Sequence, residues 1–171
     1  TRLEHVAPTM EWVGEHDQWK PLVQSYLACI SFTDHQVGKL LDALENSAYA
    51  DKTYIVLYTD HGFHQGEKER FAKRSLWEDG TRTPMIIAGP GIVEGAVCSK
   101  PAQLLDIYPT LLELTGMKAD PKLEGNSLVP LLKNPKADWP HMARTSFGPG
   151  NYSIVSEHFR YIQYNDGSEE F

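Results

Sequence analysis

The chain has 171 residues, 41% hydrophobic and 23% charged, with 23 acidic against 16 basic side chains and a formal net charge of −7. Those proportions exclude a disordered or collagen-like polymer, and a chain this long can bury a core without disulfides or a structural metal. An acidic chain with no basic run is poorly matched to a nucleic-acid backbone, and no apolar stretch reaches the roughly 18 residues needed to span a bilayer.

Residues 1–19 carry Pro8, Gly14 and many polar groups with no sustained period, and read as a linker or loop. From Leu22 to Leu44 the apolar positions Val23, Tyr26, Leu27, Ile30, Val37, Leu40, Leu41 and Leu44 recur at three- and four-residue spacings, which predicts one long amphipathic helix. Cys29 falls within it and reads as a small buried hydrophobe. Cys98, the other cysteine, is too distant for a metal-type spacing. The β-branched and aromatic run Thr53–Thr59 suits an interior parallel strand covered on both faces. A polar, glycine-containing loop over 60–75 leaves its carboxyl end, the edge at which open α/β sheets gather ligand sites.

A second strand is expected at Met85–Ala88, closed by Gly89-Pro90-Gly91, and Val97-Cys98 reads as a short segment near a sheet edge. Leu104–Leu114 has helical spacing, with Pro109 tolerable only near the first turn and Gly116 as a stop. A short helix is expected over Ser127–Leu132. The period then changes. Ala143–Phe147, Tyr152–Ser156 and Phe159–Tyr164 read as strands of an antiparallel meander, and 165–171 as a turn.

The chemistry-bearing residues concentrate after the first strand, in Asp60-His61-Gly62-Phe63-His64-Gln65-Gly66-Glu67-Lys68. A strand end fixes backbone firmly. Asp60 offers a hard oxygen and His61 a nitrogen to a divalent ion, and Gly62 allows a sharp turn. Two ligands do not complete such a site. The competing reading makes Asp60 a turn cap and His61 an ordinary loop histidine. His64 is a candidate catalytic residue that could approach the substrate or donate a proton, but a hydrogen bond within its own loop is the favoured reading unless it faces the ion. In the basic cluster of residues 68–74, Lys73 is the candidate for a tetrahedral oxyanion and its leaving oxygen, while most of its neighbours read as solvated cations. Arg82, at the mouth of the second strand, either tethers a carboxylate or reaches substrate. Glu78 and Asp79 read as caps or ion-pair partners. The sequence contains no Gly-x-Gly-x-x-Gly, P-loop or Gly-x-Ser-x-Gly, and no base can be named for Ser25, Ser31 or Ser75.

Five blocks in order carry a resemblance. Gln24–Leu41, Tyr58–Glu67, Lys73-Arg74-Ser75-Leu76-Trp77-Glu78 with Thr81–Ile86, Leu105–Leu112 and Leu123–Leu128 together resemble the type I, formylglycine-dependent sulfatases, closest to iduronate-2-sulfatase and choline-sulfatase-like members. The resemblance implies an α/β fold: part of an alkaline-phosphatase-like sandwich with a mainly parallel sheet flanked by helices, and the start of a C-terminal antiparallel region. It implies the C-terminal part of the catalytic domain over 20–140 and that antiparallel subdomain from 141 to 171. By the matched motif Asp60 and His61 would be metal ligands, the ion a divalent metal such as Ca2+, and Lys73 the lysine that contacts sulfate. The substrate would be a sulfated small molecule or sugar, and the parent periplasmic, secreted or lysosomal. The family's Cys/Ser-x-Pro/Ala-x-Arg nucleophile motif is not found in these residues. An internal fragment is therefore expected, inactive and prone to self-association in isolation, with the formylglycine in a missing upstream region. The alternatives are a phosphate or phosphonate monoester hydrolase of the same superfamily, or a noncatalytic metal- or anion-binding module.

Overall fold

The computed structural model describes residues 8–171. Residues 8–19, expected as loop, contain helix α1 (Met10–Glu15), and α2 begins at Trp19; the first seven positions of the expected linker lie outside the described residues. At six residues α1 is too short to display a period. Its stability is local: the Thr9 hydroxyl accepts from the Trp12 amide at 3.2 Å, and Val13 is fully buried.

Helix α2 (Trp19–Glu45) is the predicted long helix, unbroken through Ser31-Phe32-Thr33-Asp34. The Ser25 and Ser31 hydroxyls donate to the carbonyls of Pro21 and Leu27, four residues back, so the polar residues join the ladder rather than end it. None of its described residues is buried, and Leu27, Ile30, Phe32 and Leu40 are all more than half exposed. Cys29 is exposed as well, because no layer covers its helix among the described residues.

Strands β1 (Ile55–Tyr58) and β2 (Met85–Ala88) pair with each other in antiparallel register, Ile55 opposite Ala88 and Tyr58 opposite Met85. The β-branched run is a strand, but its neighbour in this chain does not run parallel, and neither strand is covered on both faces. Composition reports apolar content without reporting which way the neighbour travels. No strand forms at Val97-Cys98. Between β1 and β2 the chain makes a long excursion that ends in the single turn α3 (Glu78–Thr81).

A 3-10 turn over Leu104–Asp106 leads into α4 (Ile107–Leu114), with Pro109 inside the first turn, and α5 (Val129–Lys133) follows. The predicted meander forms as β3 (Ala143–Ser146), β4 (Tyr152–Val155) and β5 (Arg160–Gln163), all antiparallel. Residues 165–171 do more than turn: Glu169–Glu170 is a fourth strand, β6, on the edge beside β5.

This meander braces the excursion after β1. Leu76, Ile162 and Tyr164 form a buried cluster with Trp77 and Phe147 packed on it. Arg160 reaches across to donate to the Leu76 carbonyl at 3.0 Å, to the Ser153 hydroxyl at 2.7 Å and to the Glu78 carboxylate. Trp77 Nε1 and the Tyr164 hydroxyl donate to the two carboxylate oxygens of Glu170.

A second polar knot ties α4 to the segment before α5. The Asp106 side chain is 1% exposed, and its oxygens accept from the Gln103 amide at 2.9 Å and the Asn126 amide at 2.8 Å. Buried Thr110 donates to the Asp106 carbonyl and accepts from the Leu128 amide. An Asn side chain keeps one acceptor and turns an amide donor toward the other buried N–H. Asp106→Asn is therefore expected to cost about 2–4 kcal/mol in urea unfolding of the intact protein, and a loss under about 1 kcal/mol would contradict this accounting.

Candidate functional site

The predicted loop leaves β1 at Tyr58, and Gly62 turns it against α3. The Gly62 amide donates to the Gly80 carbonyl at 3.1 Å, and a Cβ at position 62 would lie 2.1 Å from the Asp79 carbonyl oxygen and 2.7 Å from that of Arg82. Only glycine permits so close an approach of two backbones.

Three of the predicted residues meet here. His61 is about one-third exposed; its Nδ1 donates to the Gly62 carbonyl at 2.8 Å, which fixes the tautomer and leaves Nε2 with a free lone pair. Lys73 Nζ donates to that Nε2 at 2.7 Å, and an Asp60 carboxylate oxygen lies 3.5 Å from it. Asp60 is largely exposed and Lys73 is exposed, so the group faces outward. The donor set fits part of a divalent-ion site: one hard carboxylate and one imidazole whose tautomer is already that of a ligand.

Arg82 is not gathered with them. Its guanidinium pairs with Glu78 at 3.6 Å and is 79% exposed, the tether among its two expected roles. His64 makes a hydrogen bond within its own loop, the role favoured for it over proton donation. It is fully buried, with Nε2 2.6 Å from the Ser75 hydroxyl, and a ring without exposed surface does not present a proton to a bound ester. Ser75, for which the sequence named no base, thus has one 11 residues away. Both are buried, so the pair is a fastening inside the loop rather than an exposed nucleophile.

The surroundings set the protonation of His64. Nδ1 faces an Asp79 oxygen at 3.8 Å and has no hydrogen-bond partner. With the proton on Nδ1, toward the Asp79 carboxylate, Nε2 accepts from the Ser75 hydroxyl. One donor atom from each of His64, Glu67 and Asp79 lies within 4.8 Å of the others, with His64 buried and both carboxylates exposed. The Glu67 carboxyl is held below its usual range by backbone amides, that of Gln65 first.

Burial pushes the His64 pKa below its ordinary 6.5, with Arg70 acting in the same direction and Asp79 and Glu67 opposing. The unfolded state takes up its proton near pH 6.5 while the native ring resists, so below that pH the unfolded chain binds more protons and native stability falls. Urea midpoints of the intact protein are expected to drop as pH falls from 7 toward 5, with a shallower drop in His64→Gln. Identical slopes in the two proteins would overturn this assignment.

Comparison with known proteins bears on this geometry. A family model described as Sulfatase matches residues 5–117, and one described as N-sulphoglucosamine sulphohydrolase, C-terminal, matches 66–171. A protein from Formosa agariphila named Sulfatase is 45% identical over 164 residues, 96% of this chain and 32% of its own length. The Choline-sulfatase of Rhizobium meliloti is 35% identical over 133 residues, 74% of this chain and 26% of its own. A solved structure described as a complex with its substrate D-glucosamine-2-N,6-O-disulfate superimposes with a TM-score of 0.71 at 31% identity, covering 85% of this chain and 32% of that one. The chain thus spans about a third of the length of the relatives it matches. With a family model over more than half of its residues, the chain belongs to the sulfatase family.

Proposed function

We propose that this chain supplies the ion-facing and leaving-group-facing side of a sulfuric ester hydrolase site, acting on a sulfated sugar or other small sulfate ester. The observation that carries the reading is the convergence of Asp60, His61 and Lys73, three residues singled out by their chemistry, around the Nε2 atom of His61. The substrate class rests on the glucosamine disulfate of the structural neighbour and the choline sulfatase among the relatives. The nucleophile, a formylglycine, is assigned to a part of the protein outside these 171 residues, in keeping with the third of the relatives' length that they span.

Asp60 and His61 would hold the divalent ion, with Ca2+ the candidate. When bound, such an ion polarises the ester oxygens and offsets their charge. His61 is prepared for this by its Nδ1–H bond to the Gly62 carbonyl, which points the basic nitrogen away from the backbone. One lone pair serves one partner at a time. Lys73, which now donates to it, is free to turn to an ester oxygen once Nε2 is otherwise engaged. An ammonium at the departing oxygen stabilises the alkoxide as the S–O bond breaks and can give it a proton. Arg82 and Glu78 form the adjacent charged rim, where Arg82 can meet an anionic substituent of the substrate.

The test uses the intact protein, measuring sulfate release from glucosamine 6-O-sulfate, glucosamine N-sulfate and choline sulfate. Lys73→Ala is expected to lower kcat on an active substrate by about 100-fold or more. Calorimetric titration with Ca2+ is expected to show Asp60→Ala weakening binding about tenfold or more and His64→Ala far less. Equal losses in the two variants, or no sulfate release by the unsubstituted protein, would count against the reading.

A further inference from the structure

His64 is placed where it can hold Lys73 from both sides. Its backbone forms a two-way bridge with Ala72, the His64 amide donating to the Ala72 carbonyl at 2.8 Å and the Ala72 amide returning to the His64 carbonyl at 3.2 Å. Its side chain takes the Ser75 hydroxyl at 2.6 Å. One residue therefore pins the positions immediately before and after the pair Lys73-Arg74, which must bulge between two anchors. The bulge is visible in the backbone: Arg74 has φ 51°, in the left-handed region that non-glycine residues rarely adopt. Lys68 and Glu69, with φ 55° and 54°, show that the rest of the excursion is bent just as sharply.

The anchor is built into α3. A Cβ at Gly80 would stand 2.1 Å from the Ser75 Oγ and 3.2 Å from His64 Nε2, so the hydroxyl–imidazole pair occupies the space that a glycine leaves. Trp77 closes the site, its ring edge-on to the imidazole at 6.0 Å.

We infer that His64, through its bond to Ser75, is the positioning residue for Lys73: it holds the ammonium beside His61 Nε2, from where it can turn to the leaving oxygen of a bound ester. This rests on the proposed hydrolase reading and adds to it the residue on which leaving-group assistance depends. Neither His64 nor Ser75 touches the substrate. Their influence passes through the backbone of residues 72–75.

A residue that acts through Lys73 leaves a signature that lost folding does not. Help to a departing oxygen matters most for a poor leaving group, so the intact protein is assayed on choline sulfate, an alkyl ester, and on 4-nitrophenyl sulfate, whose phenolate leaves readily. Ser75→Ala and His64→Asn are expected to lower kcat/KM on the alkyl ester about 10- to 100-fold and on the aryl ester less than about threefold. His64→Gln, whose amide oxygen can accept from the Ser75 hydroxyl near the position of Nε2, is expected to recover most of that loss. In a Lys73→Ala background Ser75→Ala is expected to add less than about twofold, because the residue it positions is gone. Equal losses on the two esters, or losses that multiply in the double variant, would overturn the inference.

Should the unsubstituted protein release sulfate from neither ester, the hydrolase reading fails, and the clamp is then judged by amide exchange. The Ala72 amide is expected to exchange about tenfold or more faster in Ser75→Ala, whereas unchanged exchange would remove the clamp itself.

Discussion

The contact on which the rest depends is the passage of Gly62 against the backbone of α3. Two main chains approach there more closely than any side chain allows, and the Gly62 amide bonds the Gly80 carbonyl. That crossing fixes where β1 ends and where the turn begins, so the imidazole of His61 emerges on a backbone that has no freedom to swing. It also brings His64 to Ser75 and to the open side of Gly80. Glycine at both positions is thus a matter of clearance, since neither has a positive φ.

The C-terminal meander bears on the site through what lies behind it. Arg160 bonds the Leu76 carbonyl and pairs with Glu78, and the carboxylate of Glu170 receives both Trp77 and Tyr164. Leu76, Trp77 and Glu78 are the residues immediately after Ser75. A strained segment such as Lys73-Arg74 persists only where its flanks are over-determined. The bridge to His64 over-determines one flank, and the β4–β5 pair does so for the other. In a partly buried ion pair the guanidinium loses hydration, and the two additional acceptors on Arg160 offset that loss, so the brace keeps direction as well as energy.

Much of this was legible in the residues because it depends on local pattern. The period of α2, the apolar runs of β1 and β2 and the turn-separated meander are short-range signals, and each produced the expected element. Asp60, His61 and Lys73 were legible as types of chemistry at the end of a strand. The illegible parts are those decided by partners distant in sequence. Nothing in Thr53–Thr59 states the direction of its neighbour, which is antiparallel. His64 and Ser75 are 11 residues apart with no motif to join them, so the pattern suggests a loop bond for His64 but does not name Ser75 as its partner. The one sequence feature that could have linked them is Gly80, which looks like a loop residue until its missing side chain is seen to be the space they fill.

The exposed apolar surface of α2 follows the same division between local and distant causes. The 27-residue helix has no side-chain cap at its N-terminus, and Asn46 closes its other end by bonding the Asp42 carbonyl through both its amides. A helix with an amphipathic pattern and no buried side chain gains little from packing, however, and in water packing supplies most helical stability. Near its beginning α2 meets the excursion, where Trp19 Nε1 donates to the Gln65 carbonyl and its ring covers Gly66, and where Tyr26 stacks on Phe63. These contacts grip the excursion at Phe63, Gln65 and Gly66, whereas Arg160 holds it at Leu76 and Glu78. The loop bearing Asp60, His61 and Lys73 is therefore clasped between the first turns of one helix and the inner strands of one sheet.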